Sequence, residues 1–292
     1  MKKLILIFLA LYSIQTHSQD LNYQPKILLV TAHPDDDALF SASVWKTTKL
    51  MGGTVDLALM TNGEGGYKYS TLGNYVYGKD LDQEEVGRDY LPGIRKKELM
   101  AGGDIVGIRN YFFFDQQDFY YTQDVEETLD KWETAPIVER LKSIIEKESY
   151  DFVFMMLPFD GNHGHHKAAT LLALQAIELI EKKNRPIALP SFVRSPGQEG
   201  MSFMMMEGYP ITKVKPETIF EFDRNQKFGF DDRLDYNIIA NWVIAEHKSQ
   251  GTMQLLMQGG RVEQYWYAEI NGTDGLEKTR RFFEVINAVQ PD

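Results

Sequence analysis

Apolar residues in this chain come either in short unbroken runs or at every third or fourth position. The run Lys26-Ile-Leu-Leu-Val-Thr31 is continuous and β-rich, which predicts a strand buried on both faces. Phe40, Val44, Thr48 and Met51 then recur at helical spacing, and Gly52-Gly53 close that helix. Thr54 to Met60 reads as a second strand, Ile94 to Val106 as a helix and Tyr111 to Phe114 as a third strand. Ile137, Leu141, Ile144 and Ile145 mark another helix, Asp151 to Leu157 a fourth strand, and Ala169, Leu172, Ala173 and Ala176 the helix after it. Strand and helix thus alternate. The pattern predicts an α/β fold: a doubly wound, mostly parallel sheet with helices on both faces. The C-terminal third is less regular and reads as an elaboration. Phe192-Val193, Phe203 to Met206 and Thr218 to Phe222 look like short strands, and Leu234 to Met257 like one long helix.

Thr61 to Gly93 shows neither period and reads as a long polar loop carrying Tyr67, Tyr69, Tyr75, Tyr77 and Tyr90. A loop of that length suggests a lid or binding loop, and tyrosine rings pack well on sugar faces. Phe119, Tyr120 and Tyr121 could line the same mouth. Met204 to Met206 read as core filler.

Residues 1–18 differ from the rest. Lys2 and Lys3 precede an apolar run from Leu4 to Tyr12, and Thr16 and Ser18 supply small side chains before Gln19. This predicts a cleaved signal peptide, a secreted or periplasmic protein, and a single domain over 19–292. No later stretch reads as a transmembrane helix. The 292 residues include 31 Lys plus Arg against 42 Asp plus Glu, for a net charge of -11. That acidity argues against nucleic acid or an anionic membrane as main partner. With no Cys, disulfides, lipid attachment at a Cys, thiolate metal sites, Fe–S clusters and a Cys nucleophile are excluded.

Ligands of such sheets bind outside the carboxyl ends of the strands. Of the six His, His17 falls in the signal, His33 follows the first strand, and His163, His165 and His166 follow the fourth. In Ala32-His-Pro-Asp-Asp-Asp37, Pro34 ends the strand and three carboxylates open the next helix. One Asp suffices to cap a helix; three in a row are costly without a cation nearby. The second cluster, Gly161-Asn-His-Gly-His-His166, again lies between strand and helix. Imidazole and carboxylate without thiolate suit Zn²⁺, Fe²⁺ or another first-row divalent ion. A carboxylate and a His beside such an ion, left over from binding it, are what hydrolysis requires.

These two motifs resemble those of the PIG-L/LmbE-like zinc de-N-acetylases, whose signatures are AHPDDE and a later HPDH-type motif. Weaker echoes follow in Thr61 to Gly66, Arg95-x-x-Glu98 and His247-Lys-Ser-Gln250. The resemblance covers roughly residues 26–183 and that late segment. It implies a Rossmann-like fold, with His33, Asp36 and His166 binding Zn²⁺ and Asp35 as general base on metal-activated water. His163 would stabilise the oxyanion or protonate the leaving amine. The implied reaction is hydrolysis of an N-acetyl group, usually on an N-acetylglucosamine unit, so the implied partner is a small-molecule or glycan substrate bearing an N-acetyl sugar.

The chain departs from the motifs at Asp37, where Glu is usual, and at His165, where Asp is common. Asp37 is expected to act behind the ligands, and His165 to be a surface residue or a spare donor to substrate in preference to a competing ligand. Glu64 reads as support for the site or a turn residue, Arg95 as a substrate contact or structural ion pair, and His247 as able to reach the pocket. Two other readings compete. A metal-dependent glycosyltransferase would explain the Asp run but leave the histidines idle. A carbohydrate-binding protein with a relict site would have no need of Asp35.

Overall fold

The computed structural model describes residues 23–195, 197–198 and 200–291; the segment read as a signal, residues 1–18, lies outside them. In chain order, β1 (Lys26–Thr31) leads through a 3-10 turn (Asp36–Leu39) to α1 (Ser41–Lys49) and β2 (Thr54–Thr61). A 3-10 segment (Glu64–Tyr69), α2 (Thr71–Tyr77) and α3 (Glu84–Val106) precede β3 (Ile108–Gln116). Then come α4 (Val125–Lys131), α5 (Thr134–Glu148), β4 (Phe152–Met156), α6 (Gly164–Glu178) and β5 (Ile187–Arg194). The last part holds β6 (Val214–Asp223), a small hairpin of β7 (Lys227–Phe228) and β8 (Leu234–Asp235), α7 (Asn237–Glu246), α8 (Gly251–Gln254), β9 (Val262–Ala268) and α9 (Leu276–Ala288).

Seven strands form one sheet in the order β3-β2-β1-β4-β5-β9-β6. The first five are parallel, and β9 runs antiparallel to β5 and β6. The apolar run of β1 explains its central place. Ile27 and Leu29 enter the core under α1, α3, α7 and α9, while Leu28 and Val30 enter the core under α5 and α6. Both faces are thus covered, as the doubly wound reading requires. The chain leaves β1 toward β2 on one side and returns to β4 on the other. This reversal opens a crevice at the carboxyl ends of β1 and β4.

The long polar loop is not a loop. Its residues form the 3-10 segment, α2 and the first turns of α3, which contains Pro92. Burial overrides the local breakers: Gly87, Leu91, Arg95, Glu98 and Leu99 face inward at helical spacing. A Cβ on Gly87 would stand 2.4 Å from the Leu81 carbonyl oxygen and from Tyr67, so glycine permits the close packing there.

The long C-terminal helix is also broken. It divides into β8, α7 and α8, because His247, Ser249 and Gln250 turn their side chains inward to polar partners. Phe192-Val193 lies within β5 and Thr218 to Phe222 within β6, but Phe203 to Met206 is not a strand. Phe203 instead packs in a small core with Trp266. Strand β9 and helix α9 were not anticipated. Among the described residues no helix is long and apolar enough to cross a membrane.

Candidate active site

The end of β1 is pinned by its neighbour: the Ala32 carbonyl accepts from the Thr61 N–H and hydroxyl. The chain then turns at Pro34, and Asp36 folds back so that its Oδ2 accepts from the N–H groups of Ala32 and His33 at 2.9 and 2.8 Å. This leaves Oδ1 facing His166, with His166 Nε2 3.1 Å away. From the far side of the crevice, His166 donates through Nδ1–H to Asn162 Oδ1 at 2.7 Å. Asn162 is itself held by donating to the Leu157 carbonyl. The bond to Asn162 fixes the tautomer and turns the Nε2 lone pair inward. His33 Nδ1 lies 2.9 Å from it.

Ligand atoms around a tetrahedral zinc ion stand about 3.3 Å apart, given bonds of about 2.0–2.1 Å. The donor atoms of His33, Asp36 and His166 lie within 4.8 Å of one another, so this set fits a small divalent cation. The electrostatics agree. Burial and the neighbouring histidines hold the His33 imidazole well below its usual range, keeping it a neutral donor. Burial pushes Asp36 up, but His166 and the two N–H bonds outweigh it and leave the carboxyl low; Asp36 in turn outweighs burial at His166 and raises it.

The three consecutive Asp take three different partners. Asp35 Oδ1 receives Arg95 Nη2 at 3.0 Å. Asp36 faces His166, and Asp37 Oδ1 receives His247 Nε2 at 2.8 Å in the core. Thus His247 does not line the cavity but sits behind it. Arg95 also lies 3.6 Å from Asp118 Oδ2. Glu64 pairs with Arg88 at 3.2 Å. Glu98 anchors the late segment through Ser249 and accepts from the Tyr77 hydroxyl.

His163 caps α6, its Nδ1 accepting from the His165 N–H at 3.1 Å. Burial, then His166, lower it to about 4 against the pull of Asp36. The neutral ring must therefore carry its hydrogen on Nε2. His165 departs from expectation. It is fully buried against Phe119 and Trp132, neither on the surface nor along the cavity. Its Nδ1 lies 3.1 Å from His33 Nε2, because the helix turn that brings His166 to the cation position sends His165 into the core. Burial, followed by His163 and His166, pushes it down to about 2.

Two participants were missed. Asn162 sits inside the second motif. Asp118 follows β3, 3.8 Å from His33 Nε2 and 3.6 Å from His165 Nδ1. Burial lifts it to about 6, opposed by Arg95. The strand-end rule pointed to this position. Of the five tyrosines in the supposed lid only Tyr69 lines the cavity, joined by Tyr120 and Tyr121; Tyr75 and Tyr90 face solvent. The cavity above these groups measures about 440 Å³ and is also bordered by Lys68, Gln250 and Thr252.

Solved structures share this architecture. A deacetylase triple mutant from the teicoplanin biosynthetic pathway aligns with TM-score 0.56 and 16% identity over 83% of this chain and 97% of its own. The 4-carboxy-2-hydroxymuconate hydratase GalB from Pseudomonas putida KT2440 aligns with TM-score 0.50 and 16% identity over 83% and 95%. At such identities the likeness establishes the fold alone. An N,N'-diacetylchitobiose deacetylase from Pyrococcus horikoshii is 22% identical, but the match spans only 52% of this chain and 49% of that one, with TM-score 0.38, and carries no argument. No curated protein matches the chain. The profile of the PIG-L family, GlcNAc-PI de-N-acetylase, matches residues 28–177, which include both histidine motifs and about half of the sequence. By this match and by its fold, the chain belongs to the PIG-L family.

Proposed function

We propose that this protein is a zinc-dependent hydrolase that removes the N-acetyl group from an N-acetylglucosamine-type sugar or glycoconjugate. One observation carries the reading. Three donor atoms, those of His33, Asp36 and His166, meet at the floor of a cavity beside Asp35, a carboxylate outside the donor set. A divalent ion held by His33, Asp36 and His166 would polarise the acyl carbonyl and acidify a water; Zn²⁺ is the ion proposed, and Fe²⁺ would suit the same donors.

Asp35, oriented by Arg95, accepts the proton of the attacking water. His163 offers Nε2–H to the oxygen on which charge develops or to the leaving nitrogen. The glycosyltransferase alternative needs carboxylates gathered around a metal diphosphate; here the three Asp diverge to Arg95, His166 and His247. A secreted or periplasmic location, with residues 1–18 removed, belongs to the same proposal. N-terminal sequencing of exported protein beginning elsewhere than Gln19 would contradict the cleavage site.

The test is amine release from a panel of N-acetylglucosamine compounds by zinc-loaded protein lacking residues 1–18, with Asp35→Ala alongside. The variant should keep its zinc and lose activity by about 10²–10⁴-fold. Equal activity in the variant removes Asp35 from the mechanism. Zinc binding with no amine released from any member favours the relict-site reading. Hydration of an enol acid without amine release would shift the site to the chemistry named for the hydratase of the same fold.

A further inference from the structure

A second cavity of about 340 Å³ opens from the same floor. The two share Asp35, Asp36, Asn162, His166, Met253 and Leu256, so they meet at the donor group and along the late segment. The second lobe is walled by Leu39, Met156, Phe159, Phe192, Val193 and Leu256. Its polar wall groups have partners within the protein. Arg224 pairs with Glu263 and donates to the carbonyls of Ala38 and Leu39. Ser191 donates to the Gln264 carbonyl, and Ser195 Oγ accepts from the Gly260 N–H. Water in such a lobe gains few hydrogen bonds, and an apolar group displacing it is favoured. An acetyl methyl would fill roughly a tenth of the space, at about 30 Å³ per water-sized group.

The chemistry of the reaction orients the substrate. Hydrolysis breaks the amide C–N bond, joins the water oxygen to the acyl carbon and sends both water protons to nitrogen, one as the bond breaks and one as the new acid ionises. The products are a carboxylate and an ammonium. The nitrogen side therefore belongs where His163 can donate and where Asp118, Lys68 and Gln250 offer polar groups, and all of these border the first lobe. Neither His163 nor Asp118 borders the second. The acyl substituent is left facing the apolar lobe. We infer that this lobe is an acyl subsite, and that the preferred substrates carry an N-acyl chain longer than acetyl, on the order of six to eight carbons. The inference rests on the amide-hydrolase reading above and puts a longer acyl group in place of its acetyl.

The experiment measures kcat/KM for glucosamine N-acylated with acetyl, butanoyl, hexanoyl and octanoyl groups, using the zinc-loaded protein. Each methylene buried should raise kcat/KM by about fourfold until the lobe is full. Fatty carboxylates from acetate to octanoate should inhibit with a parallel gain in affinity, a readout independent of turnover. Val193→Trp should collapse the octanoyl-to-acetyl ratio, and Phe159→Ala should move the optimum to longer chains. Acetyl hydrolysed as well as or better than the longer acyl groups by the unaltered protein would overturn the subsite and leave the hydrolase reading standing. A gain from an octyl aglycone on N-acetylglucosamine, without one from the acyl chain, would also overturn it. Hydrolysis of none of the series would overturn both.

Discussion

Two buried charged clusters lie within this protein, and they are built differently. At the junction of β6, β9 and α1, Arg224 donates through Nε to Glu263 at 2.8 Å and through Nη2 to the carbonyls of Ala38 and Leu39. Glu263 also accepts from the N–H groups of Ala42 and Ser43 at the start of α1 and from the Tyr265 hydroxyl. Each donor there meets an acceptor, and an anion sits at the positive end of a helix. At the ends of β1 and β4, lone-pair nitrogens instead crowd one another. His165 Nε2, Arg95 Nε and Asp37 Oδ2 are buried without a hydrogen-bond partner. The first cluster is closed and serves the fold. The second is open, and beside it the ligand atoms of His33, Asp36 and His166 lie within 4.8 Å of one another, a set that a small divalent cation would fit. The closed cluster also supports the open one, since Ala38 and Leu39 belong to the turn that carries Asp36.

The contrast can be broken from either side. The largest effect on chemistry should come from His166→Ala, which removes a donor from the open cluster. Bound zinc should fall below one per chain, and kcat/KM should drop by about a thousandfold or more, ~4 kcal/mol of transition-state stabilisation. The metal-free protein should lose less thermal stability than Glu263→Ala does, because the Asp36 left behind keeps its two N–H partners. Glu263→Ala should do the reverse. It strands a buried guanidinium and should cost about 3–5 kcal/mol in denaturant unfolding, while the folded fraction still binds zinc. If Glu263→Ala abolished zinc binding in the folded fraction, the division between the clusters would be wrong.

A smaller loss should follow Asn162→Ala, which frees the ring of His166 without removing a donor. Zinc affinity should weaken by about 10–100-fold, read by competition with a chelator. The smallest effect concerns Lys46, a buried cation whose partners among the described residues are Gln226 and the faces of Phe222 and Tyr236. Burial lowers it from 10.5 to about 8. Between those values the unfolded chain holds more protons than the folded one, so stability should rise as pH climbs from 8 to 10.5. The gain is present above the upper value and lost as pH falls through the lower. Urea unfolding at several pH values should show this slope in the parent and its loss in Lys46→Met.

The parallel half and the C-terminal part differ in how much of them could be read in advance. The unbroken run of β1 and the spacing in α1, α5 and α6 report burial directly, because a strand covered on both faces must be apolar throughout. The long polar stretch misled because Gly87 and Pro92 are local breakers, whereas the buried stripe of α3 is a property of its packing. Strand β9 went unread because its sequence, Val262–Ala268, mixes Glu263 and Gln264 with aromatics. Those side chains are buried with partners from elsewhere: Arg224 donates to Glu263, and Gln264 donates to Glu221.

The sequence by itself determined the alternation of strand and helix, and hence that His33 and the Gly161–His166 motif would stand at strand ends on one edge of the sheet. Periodicity is a local property and survives without knowledge of the fold. Tertiary structure alone decided which groups share the site. Asp118 joins it across more than eighty residues of chain, His165 turns into the core, and the three adjacent Asp diverge to partners on three different elements. The apolar lobe is likewise assembled from the 3-10 turn after β1, from β4 and β5, and from a late 3-10 segment (Leu255–Gln258). Distance in space between residues far apart in sequence is set by how the helices pack on the sheet, and no local pattern encodes it.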